Sequence, residues 1–394
     1  MNTTITEKKT VAVVVGTRPE AIKLAPVIRE LGESRLLNPL TISTSQHGEM
    51  VEQIFNNFGI SADVDLHVMQ PRQKLWDLTS VLSRELGELF AARPVAAVVV
   101  QGDTTSALIG GLAAFYHKIP VGHVEAGLRS HNRYSPFPEE LNRTLLGKLA
   151  DWNFAPTDHA AEKLRRENVD GDSIFVCGNT VVDALQWMVS KLRNRELPAG
   201  LADGRRRLVL VTCHRRENLG LPMRSVALAV KHLADSHPEA HFIFPVHPNP
   251  GVRELVMPIL SHQSGVTLCE PLNYEEFLSV LQSAYMVLSD SGGVQEEATA
   301  LGKPVLVLRR ETERPEGVEA GTLRLVGTDV QDILREGHAL LVDGERHRAM
   351  ANGSKVFGDG HAAERIRKIL EQKIAGPRGV LEFPVPSATT ALLQ

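Results

Sequence analysis

The chain has 394 residues, more than one hydrophobic core usually serves, so two domains are the first expectation. Its 43% hydrophobic and 23% charged content is that of an ordinary globular protein, and a net charge of −4 gives no basis for a nucleic-acid or acidic-membrane partner. Residues 1–10 lack the apolar core of a signal peptide and no apolar run is long enough to span a bilayer, so a cytoplasmic location without membrane insertion is expected. The three cysteines, Cys177, Cys213 and Cys269, are far apart and form no CxxC pair, which speaks against a zinc site or a disulfide framework.

Short β-branched runs alternate with longer helical patterns along the chain. Strands are expected at residues 11–15, 40–45, 96–100, 121–125, 152–155 and 174–177 in the first half. The second half repeats the pattern at 208–212, 241–246, 266–269, 286–289, 304–308 and 323–326. Continuous β-branched runs fit strands buried on both faces, as in parallel sheets covered by helices. The expected fold class is therefore α/β, with two Rossmann-like domains. Residues 191–207, with Pro198, Gly200, Gly204 and several arginines, read as the boundary. The first domain is placed at 1–195 and the second at 196–360. A last helix at 361–373 carries Ile366, Ile369 and Leu370 on one side, and the tail after Gly376 reads as loosely ordered.

Polar runs follow several of these strands, where doubly wound sheets bind ligands. Gly16-Thr17-Arg18-Pro19-Glu20 opens a helix, with Pro19 suited to its first turn and Arg18 and Lys23 near its N-terminus, where an anion is favoured. The run lacks the Gly-Lys-Ser/Thr ending of a P-loop, and as a strand–turn–helix junction with surface cations it needs no ligand. After the next Val-rich strand comes Gln101-Gly102-Asp103-Thr104-Thr105, where Asp103 or Thr104 could simply cap the helix over 105–116. Glu125 ends a strand, with Arg129 as a possible salt-bridge partner, and Glu139 and Glu140 open a helix after a proline-rich loop. Carboxylates gathered at one sheet edge would raise one another's pKa, which suits acid/base chemistry.

In the second half, His214 is followed by Arg215 and Arg216, cations that would depress its pKa unless an anion lies between them. His247 ends the next strand, and neither histidine has the HExxH spacing of a metal site. Asp290-Ser291-Gly292-Gly293 lies between strand and helix, where two glycines let a phosphate approach backbone N–H groups. Glu297, one turn further on, is placed to accept ribose hydroxyls, and Arg309, Arg310 and Arg314 follow the next strand. The bland alternative is a Gly-initiated helix with a solvated Glu297.

Taken in order and spacing, these runs resemble the non-hydrolysing UDP-N-acetylglucosamine 2-epimerases over residues 11–369. The motifs are GTRPE at 16–20, QGDTT at 101–105, HVEAGLR at 123–129, PEELNR at 138–143, HRREN at 214–218 and DSGG at 290–293. The resemblance implies a glycosyltransferase-B-like fold with the site in the cleft between the domains. It also implies a C-terminal segment, 361–394, that returns to the first domain, and a homodimer. Asp103, Glu125, Glu139 and His214 fall on the family's catalytic positions. Arg18, Lys23, Ser291, Gly292, Gly293, Glu297 and Arg314 fall on its UDP-contacting positions, with Leu272 (through its backbone) and Phe277 at the base. Gln46, Arg72, Arg215 and His247 fall on a regulatory subsite for a second UDP-sugar, and Glu49 stands where some members have Gln.

The activity so implied is reversible epimerisation at C2 between UDP-N-acetylglucosamine and UDP-N-acetylmannosamine, supplying N-acetylmannosamine for cell-surface polysaccharides. No nicotinamide or other cofactor is expected, since no G-x-G-x-x-G follows the first strand, and no metal, since His214 and His247 lack HExxH spacing. Without a carbonyl beside C2, direct deprotonation is difficult. Elimination of UDP to 2-acetamidoglucal, reprotonation from the other face and re-addition avoid a free carbanion. Three rivals are a hydrolysing epimerase, a glycosyltransferase of the same fold and a non-enzymatic UDP-sugar sensor.

Overall fold

A computed structural model describes residues 7–70, 72–192, 197, 201, 206–353 and 355–376. Most of the expected boundary at 191–207, including Pro198, Gly200 and Gly204, and the tail after Gly376 lie outside the described residues. The chain divides into two compact units, Met1–Thr180 with His361–Gln394, and Val181–Gly360.

The first unit runs β1 (Lys9–Val15), α1 (Arg18–Glu33), β2 (Leu37–Ser43), α2 (Gly48–Phe58), β3 (Val64–Asp65), α3 (Leu75–Ala92), β4 (Ala97–Gln101), α4 (Thr105–Tyr116), β5 (Val121–Val124), α5 (Glu139–Leu149), β6 (Trp152–Ala155), α6 (Asp158–Arg166) and β7 (Ile174–Val176). The second begins within α7 (Thr180–Lys191). It continues through β8 (Arg207–Thr212), α8 (Leu221–Ser236), β9 (Ala240–Pro245), α9 (Pro250–Leu260), β10 (Val266–Cys269), α10 (Tyr274–Ser283) and β11 (Ala284–Ser289). After these come α11 (Gly292–Ala300), β12 (Val305–Val307), α12 (Pro315–Glu319), β13 (Leu323–Leu325), α13 (Val330–Val342) and α14 (Gly344–Met350), and α15 (Ala362–Ala375) belongs to the first unit.

Each unit holds one all-parallel sheet, ordered β3-β2-β1-β4-β5-β6-β7 in the first and β10-β9-β8-β11-β12-β13 in the second. All twelve expected strands are present, within a few residues of the expected ends. The continuous apolar runs have the expected cause: Val11–Val15 and Ala97–Val100 are fully buried, with helices covering both faces. The two-residue β3 has no run of its own to announce it, and exists because Val64 pairs with Ile42 at the sheet edge. In both sheets the strand order reverses once, between β1 and β4 and between β8 and β11. Those are the topological switch points, where loops diverge and leave a crevice.

The helix α7 groups with the second unit, where the sequence reading placed it in the first. Among its contacts with that unit, Gln186 donates to the Asp359 carbonyl at 3.2 Å and its amide packs onto Gly360. Helix α15 lies against α1, with Arg367 Nε donating to Glu30 at 2.9 Å and Ser34 Oγ to Glu371 at 2.6 Å.

Candidate active site

In the first unit the polar runs converge because the strands that carry them are neighbours. The turn after β1 leads into α1, with Thr17 as N-cap, Arg18 first in the helix and Pro19 within the first turn. Arg18 is half-buried, whereas Lys23, one turn on, is only 6% exposed. A buried ammonium needs a counter-charge, and Glu125 supplies it through a hydrogen-bonded ion pair. Glu125 follows β5 with φ 64°, a left-handed conformation uncommon for a residue with a side chain. It also accepts from Gln101 Nε2 and, at 3.2 Å, from Asn179 Nδ2.

Asp103 sits after β4, half-buried, with its carboxylate on the Arg143 guanidinium and its carbonyl accepting from Asn142 Nδ2 at 2.8 Å. Thr104, not Asp103, caps α4, its hydroxyl accepting from Ala107 N at 3.0 Å. Glu139 is the first residue of α5 and is half-buried. Its neighbour Glu140 turns back and accepts from Ser130 N at 3.0 Å and His131 N at 2.9 Å, closing the loop before the helix. Two expectations are corrected here. Arg129 pairs with Glu167, at 2.7 and 2.8 Å, and not with Glu125. The carboxylates are not gathered as bare like charges, because Lys23 contacts Glu125 and Arg143 contacts both Asp103 and Glu140.

Two titratable groups that the sequence reading did not single out are buried beside these. His123 on β5 is fully buried, with Nε2 2.8 Å from the Gly102 carbonyl. Burial depresses its pKa from 6.5 to about 4, so the ring is neutral at pH 7. Glu20, 1% exposed, accepts from Gly16 N at 3.1 Å, Thr17 N at 2.6 Å and the Thr104 hydroxyl at 2.7 Å. Burial raises its pKa from 4.5 to about 7 against these hydrogen bonds. A Thr-x-x-Glu pattern at 17–20 is the sequence trace of this capping residue.

Gln46 follows β2, and its carbonyl accepts from the Ser106 hydroxyl at 3.0 Å. Arg72, with φ 61°, is exposed in the connection between β3 and α3.

In the second unit the loops after β8 and β11 are joined by one carboxylate. Asp290 is fully buried, and its Oδ2 accepts from His214 N at 3.0 Å, Arg215 N at 2.9 Å and Asn218 Nδ2 at 2.9 Å, with the Cys213 thiol at 3.3 Å. Its other oxygen lies 3.7 Å from His214 Nδ1, so the basic turn has its own internal anion. The His214 ring stacks on His247, centroids 5.8 Å apart at 12°. Burial, then the neighbouring His214, lowers the His247 pKa.

Ser291 is the N-cap of α11 and Gly292 its first residue. Gly292 lets the Arg314 guanidinium approach closely: a Cβ there would lie 2.5 Å from Nη1, so the guanidinium would have to move. Gly293, in contrast, faces open space among the described residues. Arg314, the N-cap of α12, donates to Glu296 at 2.6 Å and sits 3.4 Å from Glu313. Glu313 also meets Arg309 at 2.9 Å and Arg215 at 3.9 Å, and although burial opposes it, these guanidiniums hold its carboxyl far below the usual range. Glu297 is not a solvated helix residue: it is 6% exposed and accepts from the Tyr274 hydroxyl at 2.9 Å. Leu272 and Phe277, both half-buried, flank that tyrosine at the start of α10.

Each unit thus presents helix N-termini, cations and buried carboxylates at the carboxyl edge of a parallel sheet, beside its switch point. That defines a two-unit Rossmann-like α/β protein of the glycosyltransferase-B-like kind. The family model described as UDP-N-acetylglucosamine 2-epimerase matches residues 29–371, and the chain belongs to that family. It is 46% identical to the UDP-N-acetylglucosamine 2-epimerase of Bacillus subtilis, over 91% of this chain and 94% of that protein. Identity to the enzyme of the same name from Escherichia coli K12 is also 46%, over 92% and 98%. Among solved structures, UDP-GlcNAc 2-epimerase from Neisseria meningitidis bound to UDP-GlcNAc superposes with a TM-score of 0.89 at 42% identity, covering 92% of this chain and all of that one. The Methanocaldococcus jannaschii UDP-GlcNAc 2-epimerase in complex with UDP-GlcNAc and UDP gives a TM-score of 0.81 at 34% identity, covering 92% and 99%.

Proposed function

We propose that this chain interconverts UDP-N-acetylglucosamine and UDP-N-acetylmannosamine by eliminating and re-adding UDP, without hydrolysis. The observation that carries this reading is the pairing of carboxylate with cation at the carboxyl ends of β4 and β5, Asp103 with Arg143 and Glu125 with Lys23. The Neisseria enzyme bound to UDP-GlcNAc, and the Methanocaldococcus enzyme in complex with UDP-GlcNAc and UDP, support the substrate.

In the forward step a carboxylate takes the C2 proton and the C1–O electron pair leaves with UDP, forming the C1=C2 bond of 2-acetamidoglucal. UDP oxygen then attacks C1 while C2 receives a proton on the opposite face. Asp103, Glu125 and Glu139 divide the acid/base roles on the two faces, each worth typically ~10²–10⁴-fold. Arg18, Lys23, His214, Arg314 and the amides of Ser291–Gly293 bind and stabilise the diphosphate. Glu297 holds the ribose, and Leu272 and Phe277 the base. The open space at Gly293 supports a ligand approaching that backbone.

Gln46, Arg72, Arg215 and His247 are proposed to hold a second, regulatory UDP-sugar. The stacking of His247 on His214 supports this, since a ligand held by His247 would act on a ring beside the proposed reacting site. A cytoplasmic homodimer serving polysaccharide synthesis, with the carboxylates in the first unit and most UDP contacts in the second, Val181–Gly360, completes the proposal.

Epimerisation in D₂O tests the mechanism. Deuterium should enter C2 of both epimers, and oxygen-18 placed in the C1–O–P bridge should scramble into the diphosphate. Epimerisation with full retention of both labels refutes elimination. Release of free N-acetylmannosamine, seen by NMR, identifies the hydrolysing reaction instead.

A further inference from the structure

The Asp103 loop is held from several sides. The Gly102 N–H donates to the Val124 carbonyl at 3.0 Å, and the Gly102 carbonyl meets His123 at 2.8 Å. The Asp103 carbonyl meets Asn142 at 2.8 Å. Those partners come from β5 and α5. The Thr104 hydroxyl is held differently, by Glu20 at 2.7 Å, and Glu20 is anchored to the Gly16 and Thr17 amides of the turn before α1. One fully enclosed carboxyl therefore bridges the loop that carries Asp103 to the helix that carries Arg18 and Lys23. Thr104 is also the α4 cap, so the same hydroxyl ties the loop to the start of that helix.

We propose that the Glu20–Thr104 contact is a strut that positions Asp103 relative to the N-terminus of α1, with Glu20 a positioning residue and not a proton carrier. This rests on the epimerase reading above. A misplacement of about 1 Å at a reacting group can cost ~10²-fold in rate, so a strut between two such elements is worth its buried carboxyl.

The test compares Glu20→Ala, Glu20→Gln, Thr104→Val, Thr104→Ser and the Glu20→Ala/Thr104→Val double variant with wild type. Readouts are kcat and KM with UDP-N-acetylglucosamine, UDP affinity, and hydrogen exchange of the 102–106 amides. Cutting the strut should lower kcat by roughly 10–100-fold, with KM and UDP affinity little changed. The double variant should be no slower than the slower single, because both singles lose the Glu20–Thr104 contact, Thr104→Val losing the α4 cap as well. Glutamine and serine should rescue, since Gln accepts from the backbone with its oxygen and donates to Thr104 with its amide. Multiplicative losses in the double variant, or Glu20→Gln as slow as Glu20→Ala, overturn the strut; the latter makes Glu20 a proton carrier.

Hydrogen exchange keeps the two readings apart. If wild type fails to epimerise, the epimerase reading falls. The strut still requires faster exchange at 102–106 in Glu20→Ala and Thr104→Val, and unchanged exchange there overturns it.

Discussion

Replacing Asp290 by Ala should loosen the 213–218 turn and lower UDP affinity, although Asp290 is fully buried. Its Oδ2 is the acceptor for two backbone N–H groups and one amide, at 2.9–3.0 Å. Each hydrogen bond to a charged group contributes roughly 1.5–3 kcal/mol, and a buried donor left unsatisfied costs a similar amount. The full sum is not lost. His214 is exposed, so its N–H can meet water, and Asn218 has a second acceptor in the Leu308 carbonyl at 3.3 Å. A net loss of about 3–5 kcal/mol follows for Ala, and about 1–2 kcal/mol for Asn, which keeps one oxygen but not the charge. For a unit the size of Val181–Gly360, that amounts to a fall in Tm of roughly 10 °C for Ala. Calorimetric melts of both variants, alongside UDP titration, measure this. A Tm for Asp290→Ala within roughly 2 °C of wild type would refute the claim that this carboxylate holds the turn.

Acid sensitivity should divide between two groups of opposite sign. Glu20, raised to about 7, contributes stability that is full below pH 4.5 and lost as pH rises through 7; His123, lowered to about 4, contributes stability that is full above pH 6.5 and lost as pH falls through 4. Each is worth roughly 3 kcal/mol over its window, so wild-type Tm should be nearly flat between them and Glu20→Gln should lose stability with acid; a Glu20→Gln profile parallel to wild type contradicts this. Glu125→Gln should destabilise by about 3–5 kcal/mol through the buried Lys23 charge it leaves, and adding Lys23→Met should recover part of that loss in urea unfolding. Strictly additive losses would mean that the pair is not coupled. Arg72→Ala should abolish the lag expected when UDP-N-acetylmannosamine is supplied free of its gluco epimer, with UDP binding intact; hyperbolic wild-type kinetics count against the second site. Activity should survive dialysis against EDTA without added nicotinamide, and a dead dialysed enzyme revived by metal alone would overturn the mechanism.

What the sequence determined is what depends on local pattern. Strands buried on both faces are apolar over most of their length, so β1, β4, β8 and β11 were legible as short apolar runs. Ligands of such sheets bind at the carboxyl ends of the strands, so Arg18, Asp103, Glu125, His214 and Ser291 could be placed just past strand ends without a structure. Only the tertiary structure decided who partners whom. Partner choice is set by strand order, and strand order is nonlocal: β1 lies beside β4 and β8 beside β11. That adjacency brings Glu20 to Thr104 across 84 positions and Asp290 to the His214 turn across 76. Lys23 reaches Glu125 across 102, while Arg129, four residues from Glu125, turns instead to Glu167. Nearness in sequence suggested the wrong pair because a buried charge selects its partner through the fold's geometry and its own desolvation, neither of which a linear chain records.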